Sequence, residues 1–309
     1  MTITVIVPTM EAERCLPGLL TSLHDQQISV DEIIIIDTSS VDKTVEIAEK
    51  FDCIVYTQKQ SEFSHGSARN LGGYKAKGDI LVFLTQDVLP AGKDFLTELV
   101  RPIKMGLASA VTARQIPFPD ASPIEKLTRA YNYPDQSNLR TLQDVKEMGI
   151  KAVFFSNSSS AIERETFFNL GGFSEEVIVD EDLEFCARLL KAGYSVAYQS
   201  HAVVYHSHNY NLKQIIKRYF DIGVFFKQAE ETLTGIKVYG EGKRYIVQLT
   251  KDLTKKKEFF WIPRLFLESV VKFLAYQLGL KHETIPNQIM RSFSGQPYFW
   301  ETHQEGKNG

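Results

Sequence analysis

The chain has 309 residues, of which 43% are hydrophobic and 24% are charged, an ordinary composition for a globular protein. The formal net charge of −3 argues against a protein that binds nucleic acids over a large surface. Its three cysteines, Cys15, Cys53 and Cys186, lie far apart in the sequence, which argues against a disulfide framework and indicates a reducing compartment.

The N-terminal residues 1–8 lack both a basic region and a small-residue cleavage site, so they predict a strand and not a signal peptide. Uninterrupted apolar runs stay well short of the ~20 residues that span a bilayer. We therefore expect a cytoplasmic protein in which any membrane contact is peripheral.

Short apolar runs alternate with helical patterns along the first 56 residues. Strands are predicted at Ile3–Val7, Ile33–Ile36 and 54–56, and helices at Glu11–Leu23 and Thr44–Lys50, the second capped by Ser39 or Ser40. Strands and helices that alternate at this spacing predict βαβ units and a parallel sheet.

The run Ile80–Leu84 has the continuous apolar character of a fully buried parallel strand, and Asp87 comes three residues after it. Asp37 directly follows the strand at Ile33–Ile36. Open α/β sheets bind ligands outside the carboxyl ends of their strands. We therefore expect Asp87 to hold a divalent cation; the alternative is that it only caps the next turn.

The stretch Ser64–Asn70 precedes a predicted helix from Ala68 to Lys77. A glycine, small residues and a cation at a helix N-terminus suit an anionic ligand. Arg69 is the cation, and it could equally be a solvated surface charge.

Between residues 93 and 175 the pattern is less regular. A helix is predicted at 93–105, strands at Ala108–Ala113 and Val153–Phe155, and a helix at Arg164–Asn169 that ends at Gly171. Periodicity fades between 116 and 143, which favours an active-site or acceptor loop with helical pieces.

Three acids, Asp180, Glu181 and Asp182, precede a predicted helix at Leu183–Ala192. They could stabilise the helix dipole, or they could raise one another's pKa values and supply a general base. Predicted strands at 195–198 and 202–205 lead to His206-Ser207-His208, whose alternation puts both imidazoles on one face, as in metal sites.

Beyond Leu212 the pattern becomes helical and rich in aromatic residues. The stripe from Arg264 to Leu280 carries a charged residue every fourth position, follows Lys255–Lys257, and is otherwise apolar. Such a helix can lie in a membrane interface, or it can pack against a partner subunit or the catalytic domain. Residues 302–309 are expected to be frayed.

The order and spacing of these motifs resemble the inverting family 2 glycosyltransferases of the GT-A fold, over about residues 3–225. The FSHG and TQD elements, at residues 63–66 and 85–87, resemble bacterial rhamnosyltransferases of polysaccharide synthesis in particular. The matching stretches are Val5–Thr9, Ile35–Thr44, Phe63–Asn70, Leu84–Asp87, Gly171–Phe173, Glu181–Asp182 with Arg188, Gly193–Tyr194 and His206–Tyr210.

The resemblance implies an α/β fold with a Rossmann-like, mainly parallel central sheet flanked by helices. It implies a catalytic domain at 1–212, with a nucleotide-sugar half at about 1–115 and an acceptor half at 116–212. The helical region 213–309 would associate with a membrane or form a homodimer.

The resemblance also implies a donor site. Asp37 would accept a hydrogen bond from the pyrimidine N3–H, and Arg69 would contact the diphosphate or orient its pocket. The implied donor-binding residues are Pro8, Thr9, Glu11, Asp37, Ser39, His65, Arg69, Gln86 and Asp87.

For the cofactor, the resemblance implies Mg²⁺ or Mn²⁺ bound by Asp87 with His206 or His208. The chain departs from the family's Asp-x-Asp metal motif, because Thr85 stands where the first aspartate would be. One carboxylate is still workable, since Mg²⁺ commonly uses one or two carboxylates together with phosphates and waters.

For the reaction, the resemblance implies Asp182 as general base, with Glu181 beside it, and Asn157 and Arg188 as contacts to the acceptor. The implied donor is dTDP-β-L-rhamnose, and the implied acceptor is a glycan carried on a polyprenyl diphosphate. The product would be an α-L-rhamnoside.

Three other interpretations compete with this one. The chain could be an inactive protein that binds nucleotide sugars or glycans, with Thr85 as a sign of decay, or a family 2 transferase that uses a UDP-hexose. A nucleotidyltransferase would need a loop rich in glycine and lysine after the first strand, and residues 9–14 do not provide one.

Overall fold

The computed structural model describes residues 1–300. Their strands are β1 (Ile3–Thr9), β2 (Glu32–Thr38), β3 (Ile54–Gln58), β4 (Ile80–Leu84), β5 (Leu89–Pro90), β6 (Ala110–Ile116), β7 (Asn138–Arg140), β8 (Ser159–Glu163) and β9 (Val196–Tyr205). The helices before the acidic cluster are α1 (Leu16–His24), α2 (Thr44–Lys50), α3 (His65–Lys75), α4 (Phe95–Lys104), α5 (Pro123–Asn132), α6 (Val145–Met148) and α7 (Arg164–Asn169). Those that follow are α8 (Glu181–Lys191), α9 (Leu212–Gln228), α10 (Glu241–Lys255), α11 (Trp261–Leu280) and α12 (Asn287–Phe293).

All these strands form one sheet in the order β3-β2-β1-β4-β8-β6-β9-β5, with β7 paired to β9. The strands β3, β2, β1 and β4 are parallel, as the βαβ pattern predicts. β8 runs antiparallel between β4 and β6, while β6 and β9 are parallel. The fold is α/β as expected, but its second half is more mixed than the sequence suggests, because β5, β7 and β8 all pair antiparallel.

Two strand predictions need correction. Val153–Phe155 is not a strand; Val153 and Phe155 are buried, but the backbone here is a turn followed by irregular structure, and the strand begins only at Ser159. The two short strands expected at 195–198 and 202–205 are parts of β9, interrupted by an irregularity in its pairing with β6.

Several helix boundaries also differ. α3 begins at His65 and α8 at Glu181, each earlier than predicted. α2 begins at Thr44 as predicted, but neither serine caps it, because the Asp42 carboxylate accepts from the Thr44 N–H at 2.9 Å. The irregular stretch 116–143 contains α5 and the short strand β7. The expectation for residues 302–309 lies outside the described part of the chain.

Apolar side chains cover both faces of the sheet. Ile6, Phe83 and Phe167 belong to one buried cluster, and Val5 and Leu96 belong to the other. The first cluster also includes residues of α9, among them Phe220, Val224 and Phe225. The C-terminal helices therefore share the core of the catalytic region.

Helices α9 and α11 touch through their backbones. A Cβ at Gly223 would lie 2.2 Å from the carbonyl oxygen of Tyr276, and one at Gly279 would lie 2.1 Å from that of Phe220. Only glycine fits at either position, because a real Cβ does not approach a backbone atom so closely.

Two residues of the charged stripe of α11, Glu268 and Lys272, face the protein. Glu268 is 6% exposed and pairs with Arg264 at 2.9 Å and with Lys272 at 3.9 Å. The Lys272 ammonium lies over the rings of Tyr219 and Tyr245. The outer face of the helix is therefore mostly apolar: Arg264 is exposed near its N-terminal end, and the exposed apolar residues are Phe266, Leu267, Val270, Phe273 and Leu274.

Among residues 1–300, no helix combines the length and the apolar character needed to cross a membrane.

Candidate active site

Asp87 follows β4, and His206 and His208 follow β9. The Asp87 Oδ2 atom lies 3.6 Å from His206 Nε2 and 3.5 Å from His208 Nε2, and the two Nε2 atoms are 3.0 Å apart. The sheet thus brings together three potential metal ligands from two strands.

Gln115, at the end of β6, fixes the orientation of His206. The atom that Arg129 Nη1 contacts must be the amide oxygen of Gln115, because a guanidinium has no acceptor. His206 Nδ1 lies 2.8 Å from the same oxygen and therefore carries the proton. Its Nε2 lone pair is left for a metal, an arrangement usual for histidine ligands.

The charge state of the cluster also suits a cation. Burial alone would raise the pKa of the Asp87 carboxyl, but His206 and His208 offset this and hold that pKa far below its usual range. Burial, with His206 next to it, lowers the pKa of His208 to about 4. A carboxylate and two imidazoles are a reasonable donor set for a divalent transition metal.

The acidic cluster lies at the N-terminus of α8. Asp182 Oδ2 accepts from the Asn157 backbone N–H at 2.8 Å. Glu181 is buried, lies 3.2 Å from Arg69 Nη1, and accepts from the Asn157 side-chain amide at 3.2 Å. The two acids are therefore distinct: Glu181 is paired with a cation, and Asp182 is not.

Burial, followed by the charges of Glu181 and Asp180, raises the pKa of Asp182 well above the ordinary carboxyl range. Asp180 immediately precedes α8 with φ of +54°, in the left-handed region that few residues other than glycine adopt. Backbone strain of this kind often marks functional sites. The arrangement suits a general base that is ionised only at higher pH than a free aspartate.

The acids and the histidines are joined through the neighbouring residues Ser156 and Asn157. Gln115 holds His206 and donates its side-chain amide to Ser156 Oγ at 2.9 Å. The next residue, Asn157, holds Asp182. One short segment before β8 therefore supports both the metal-ligand cluster and the candidate base.

The ends of β1 and β2 meet at Asp37. Its buried carboxylate accepts from Thr9 Oγ1 at 3.1 Å, from Ser40 Oγ at 2.6 Å and from the Ser40 N–H at 2.9 Å. A carboxylate has about four acceptor sites, so these three donors leave one unused.

Glu11 and Gln86 hold the loop that follows β1, the strand that contains Pro8. The Glu11 carboxylate accepts from the Val41 N–H at 2.9 Å. Gln86 accepts from the Met10 N–H at 2.8 Å and donates to its carbonyl at 3.1 Å. The ends of β1, β2 and β4 are thereby held at one edge of the sheet.

The comparisons with known proteins agree with this geometry. The family described as Glycosyl transferase family 2 matches residues 4–170, which is more than half of the chain. The chain belongs to glycosyl transferase family 2.

Two curated relatives of this glycosyltransferase match nearly its whole length. The O-antigen chain rhamnosyltransferase RfbN of Salmonella typhimurium is 38% identical over 309 residues, covering 98% of each chain. The O-antigen chain rhamnosyltransferase WbaN of Salmonella anatum is 37% identical over 308 residues, covering 97% of this chain and 96% of that one.

Solved structures show that the glycosyltransferase has the GT-A fold that the resemblance implies. The mannosyltransferase PcManGT of Pyrobaculum calidifontis, in complex with GDP-Man and Mn²⁺, matches with a TM-score of 0.61 at 16% identity, covering 91% of this chain and 86% of that one. S. aureus TarS 1-349 in complex with UDP matches with a TM-score of 0.53 at 15% identity, covering 92% of each.

Two residues of the glycosyltransferase lie where contact with an acceptor does not fit. Asn157 is 1% exposed, and its groups are engaged by Glu181, Asp182 and Ser160. Arg188 pairs with Glu184 at 2.8 Å and donates to backbone carbonyls of the turn after α7. Both therefore support structure around the acids, because their polar groups are already used.

Two predicted donor residues have other partners. Arg69 is buried and donates to the carbonyl of His65 at 2.9 Å besides its pairing with Glu181, which fits the prediction that it orients the pocket better than direct contact with a diphosphate. Ser39 Oγ donates to the carbonyl of Gln58 on β3 at 3.0 Å.

Several supporting residues of the site carry little or no signal in the sequence. Ser40, three residues after Asp37, accepts from the Glu11 N–H at 2.8 Å and bonds Asp37; an aspartate before a turn was the available signal. Gln115 and Arg129 gave no signal, because their role depends on the pairing of β6 with β9 and on the position of α5.

Proposed function

We propose that this family 2 glycosyltransferase is a metal-dependent, inverting rhamnosyltransferase that extends a lipid-linked glycan. One observation carries the proposal: the adjacent residues Ser156 and Asn157 hold both parts of the site. Asn157 binds Asp182, and Ser156 binds Gln115, which orients His206 of the Asp87–His206–His208 cluster. A base and a cation site joined in this way suit transfer from a nucleotide diphosphate sugar.

In the proposed reaction the Asp182 carboxylate takes the proton of an acceptor hydroxyl as that oxygen attacks the anomeric carbon. The bond from the anomeric carbon to the diphosphate oxygen breaks, and the nucleoside diphosphate leaves with the bonding electrons. Displacement from the opposite side inverts the anomeric centre. A cation held by Asp87, His206 and His208 would offset negative charge on the diphosphate.

The proposed donor is dTDP-β-L-rhamnose, which gives an α-L-rhamnoside. Support comes from the two relatives named as O-antigen chain rhamnosyltransferases, which match almost end to end. In this proposal Asp37 accepts from the pyrimidine N3–H with its remaining acceptor site, while Pro8, Thr9, Glu11 and the Gln86 clamp form the rest of the nucleotide pocket.

A screen of nucleotide sugars tests the donor. We expect release of nucleoside diphosphate from dTDP-rhamnose with a kcat/KM at least about tenfold above that for UDP-hexoses, in the presence of acceptor and Mn²⁺. Preference for a UDP-hexose would replace rhamnose with that sugar. Tight binding of nucleotide sugars without turnover on any acceptor would favour the inactive binding protein instead.

For the metal, we propose Mn²⁺ in preference to Mg²⁺. Two of the three candidate ligands are imidazoles, which suit transition metals, whereas Mg²⁺ favours oxygen ligands. The same screen, run with each cation in turn, separates the two.

We further propose a division of the chain into a catalytic unit at 1–212 and a helical region at 213–309 that brings the enzyme to its acceptor on the cytoplasmic face of a membrane. The apolar outer face of α11 supports this, together with Phe260, which is 97% exposed. The exposed residues Lys255–Lys257 lie shortly before Phe260 in the chain, and lysines beside an apolar face suit an anionic lipid surface.

Sedimentation with lipid vesicles tests the membrane proposal. We expect the protein to bind vesicles that contain phosphatidylglycerol and to bind those of phosphatidylcholine alone more weakly. Replacing Lys255, Lys256 and Lys257 by glutamine is expected to lower the partition coefficient about a hundredfold, since each lysine contributes ~1 kcal/mol at such a surface.

The replacement Phe273→Ser is expected to weaken binding to both kinds of vesicle, and Met105→Ser, an exposed apolar residue just after α4, serves as its control. A wild-type protein that stays in the supernatant contradicts the proposal. A dimer in ultracentrifugation that Phe273→Ser dissociates would assign the face to a second copy of the chain.

A further inference from the structure

The segment after α12 returns to α9 and is held there by a buried carboxylate. Asp221 Oδ1 accepts from Ser294 Oγ at 2.7 Å, and Asp221 Oδ2 accepts from the Gly295 N–H at 2.8 Å. Both Asp221 and Ser294 are almost fully buried. Detaching the segment would leave this carboxylate buried without those partners, so the attachment is strong.

The attachment places Gln296. Its backbone N–H donates to Ser294 Oγ at 2.9 Å, and its side-chain Nε2 lies 3.1 Å from Nε2 of His65. Hydrogen bonds therefore run from Asp221 through Ser294 and Gln296 to a ring at the start of α3, 231 residues earlier in the chain.

The contact determines which nitrogen of His65 carries the proton. Burial lowers the pKa of His65 to about 4, so the ring is neutral at physiological pH. An amide N–H that donates to Nε2 leaves the ring proton on Nδ1. Among residues 1–300, no group accepts a hydrogen bond from that Nδ1–H.

His65 also borders the catalytic acids. Its backbone carbonyl accepts from Arg69, which pairs with Glu181 beside Asp182. Besides burial, the Glu181 carboxylate acts on the pKa of the ring by raising it, and the guanidinium groups of Arg69 and of Arg218 on α9 lower it. An N–H donor with two arginines nearby suits a phosphate oxygen.

We propose that Gln296 is a positioning residue of the donor pocket, which holds His65 so that its Nδ1–H donates to a phosphate oxygen of the nucleotide sugar. The inference rests on the proposed function, because the ligand is the donor of that reaction. It assigns a role in the donor site to the last part of the described chain.

Two variants of the full-length protein test the role by NMR of the histidine rings and by steady-state kinetics. The wild-type His65 is expected to be neutral with its proton on Nδ1 between pH 6 and 8. Gln296→Leu is expected to abolish this tautomer preference and to raise the KM for the nucleotide sugar about tenfold, the effect of one hydrogen bond, with a smaller change in kcat.

Gln296→Glu keeps the size of the side chain but replaces the donor by an acceptor. We expect it to move the ring proton to Nε2, to raise the pKa of His65 and to raise the KM for the donor, which a merely structural role would not do. Ser294→Ala is expected to reproduce the KM effect. Gln288→Glu, an exposed residue of α12, is the matched control and should change neither readout.

Unchanged His65 signals and an unchanged KM in Gln296→Leu would overturn the proposal. A tautomer shift in that variant, in a protein that turns over no nucleotide sugar, would support the Gln296–His65 contact while overturning the proposed function. The NMR readout thus separates the two failures.

Discussion

Replacing Asp182 by asparagine is expected to lower kcat by about 10²–10⁴-fold, the range that a positioned general base contributes. Asparagine keeps the shape of the side chain and can still accept from the Asn157 N–H, but it cannot take a proton from the acceptor hydroxyl. Binding of the nucleotide sugar, measured by calorimetry, should stay within about threefold of wild type.

The pH dependence of the transfer rate tests the assignment of Asp182 as general base independently. A base must be ionised to act, so the rate should fall as the pH is lowered through the raised pKa of Asp182, where an ordinary aspartate with a pKa of ~3.9 would still be ionised. Glu181→Gln removes a neighbouring negative charge. We therefore expect the acidic limb of kcat/KM to move to lower pH in that variant.

The exposed acid Glu165 on α7 provides the control, and Glu165→Gln should leave both rate and profile unchanged. Loss of nucleotide-sugar binding in Asp182→Asn would show that the residue holds the donor and that the base lies elsewhere. An acidic limb that stays in place in Glu181→Gln would contradict the assignment of that limb to Asp182.

Removing a ligand of the candidate metal centre is expected to have the second large effect. His206→Ala or Asp87→Ala should lower kcat/KM at least about a hundredfold, because a cation at a leaving diphosphate contributes several kcal/mol and each 1.36 kcal/mol is a factor of ten. Titration of the protein with Mn²⁺, followed by electron paramagnetic resonance, should show one site in the wild type and a much weaker one in either variant.

His201→Ala is the matched control, since His201 lies exposed on β9 only five residues before His206. Treatment with EDTA should abolish wild-type transfer, and Mn²⁺ should restore it. Activity that survives both EDTA and His206→Ala would exclude a catalytic role for the cation.

The parallel half of the sheet could be predicted because its signals are local. Apolar runs define β1, β2 and β4, and the carboxyl ends of parallel neighbours meet at one edge whatever the details of packing. The proximity of Asp37 to Thr9 follows from that rule. Likewise, alternation along an extended segment is enough to place His206 and His208 on one face.

The strand β8 could not be predicted, because it is buried without being hydrophobic. Ser159 and Ser160 are inaccessible to solvent, and Ser160 donates to Asn157, which holds the acids. The apolar run Val153–Phe155 resembles a strand instead; Val153 and Phe155 belong to the core, but the segment is a turn followed by irregular structure. The polar residues of β8 contact the neighbouring site, whose other residues lie far away in the sequence.

The face that α11 buries could not be predicted from the sequence either. The charges repeat every fourth residue, and an amphipathic helix ordinarily turns them to water. Here Glu268 and Lys272 find partners on the inner side, among them the rings of Tyr219 and Tyr245. Pairing with residues that are close only in the fold decided the orientation.

The glycine contact between α9 and α11 couples these two helices, so we expect them to move as one rigid body. No side chains lie between Gly223 and Gly279 that could change conformation and let one helix shift relative to the other. α9 begins four residues after His208 and carries Asp221, whereas α11 presents the apolar outer face. We therefore expect that a displacement of α11, such as the proposed membrane docking would cause, moves α9 together with it.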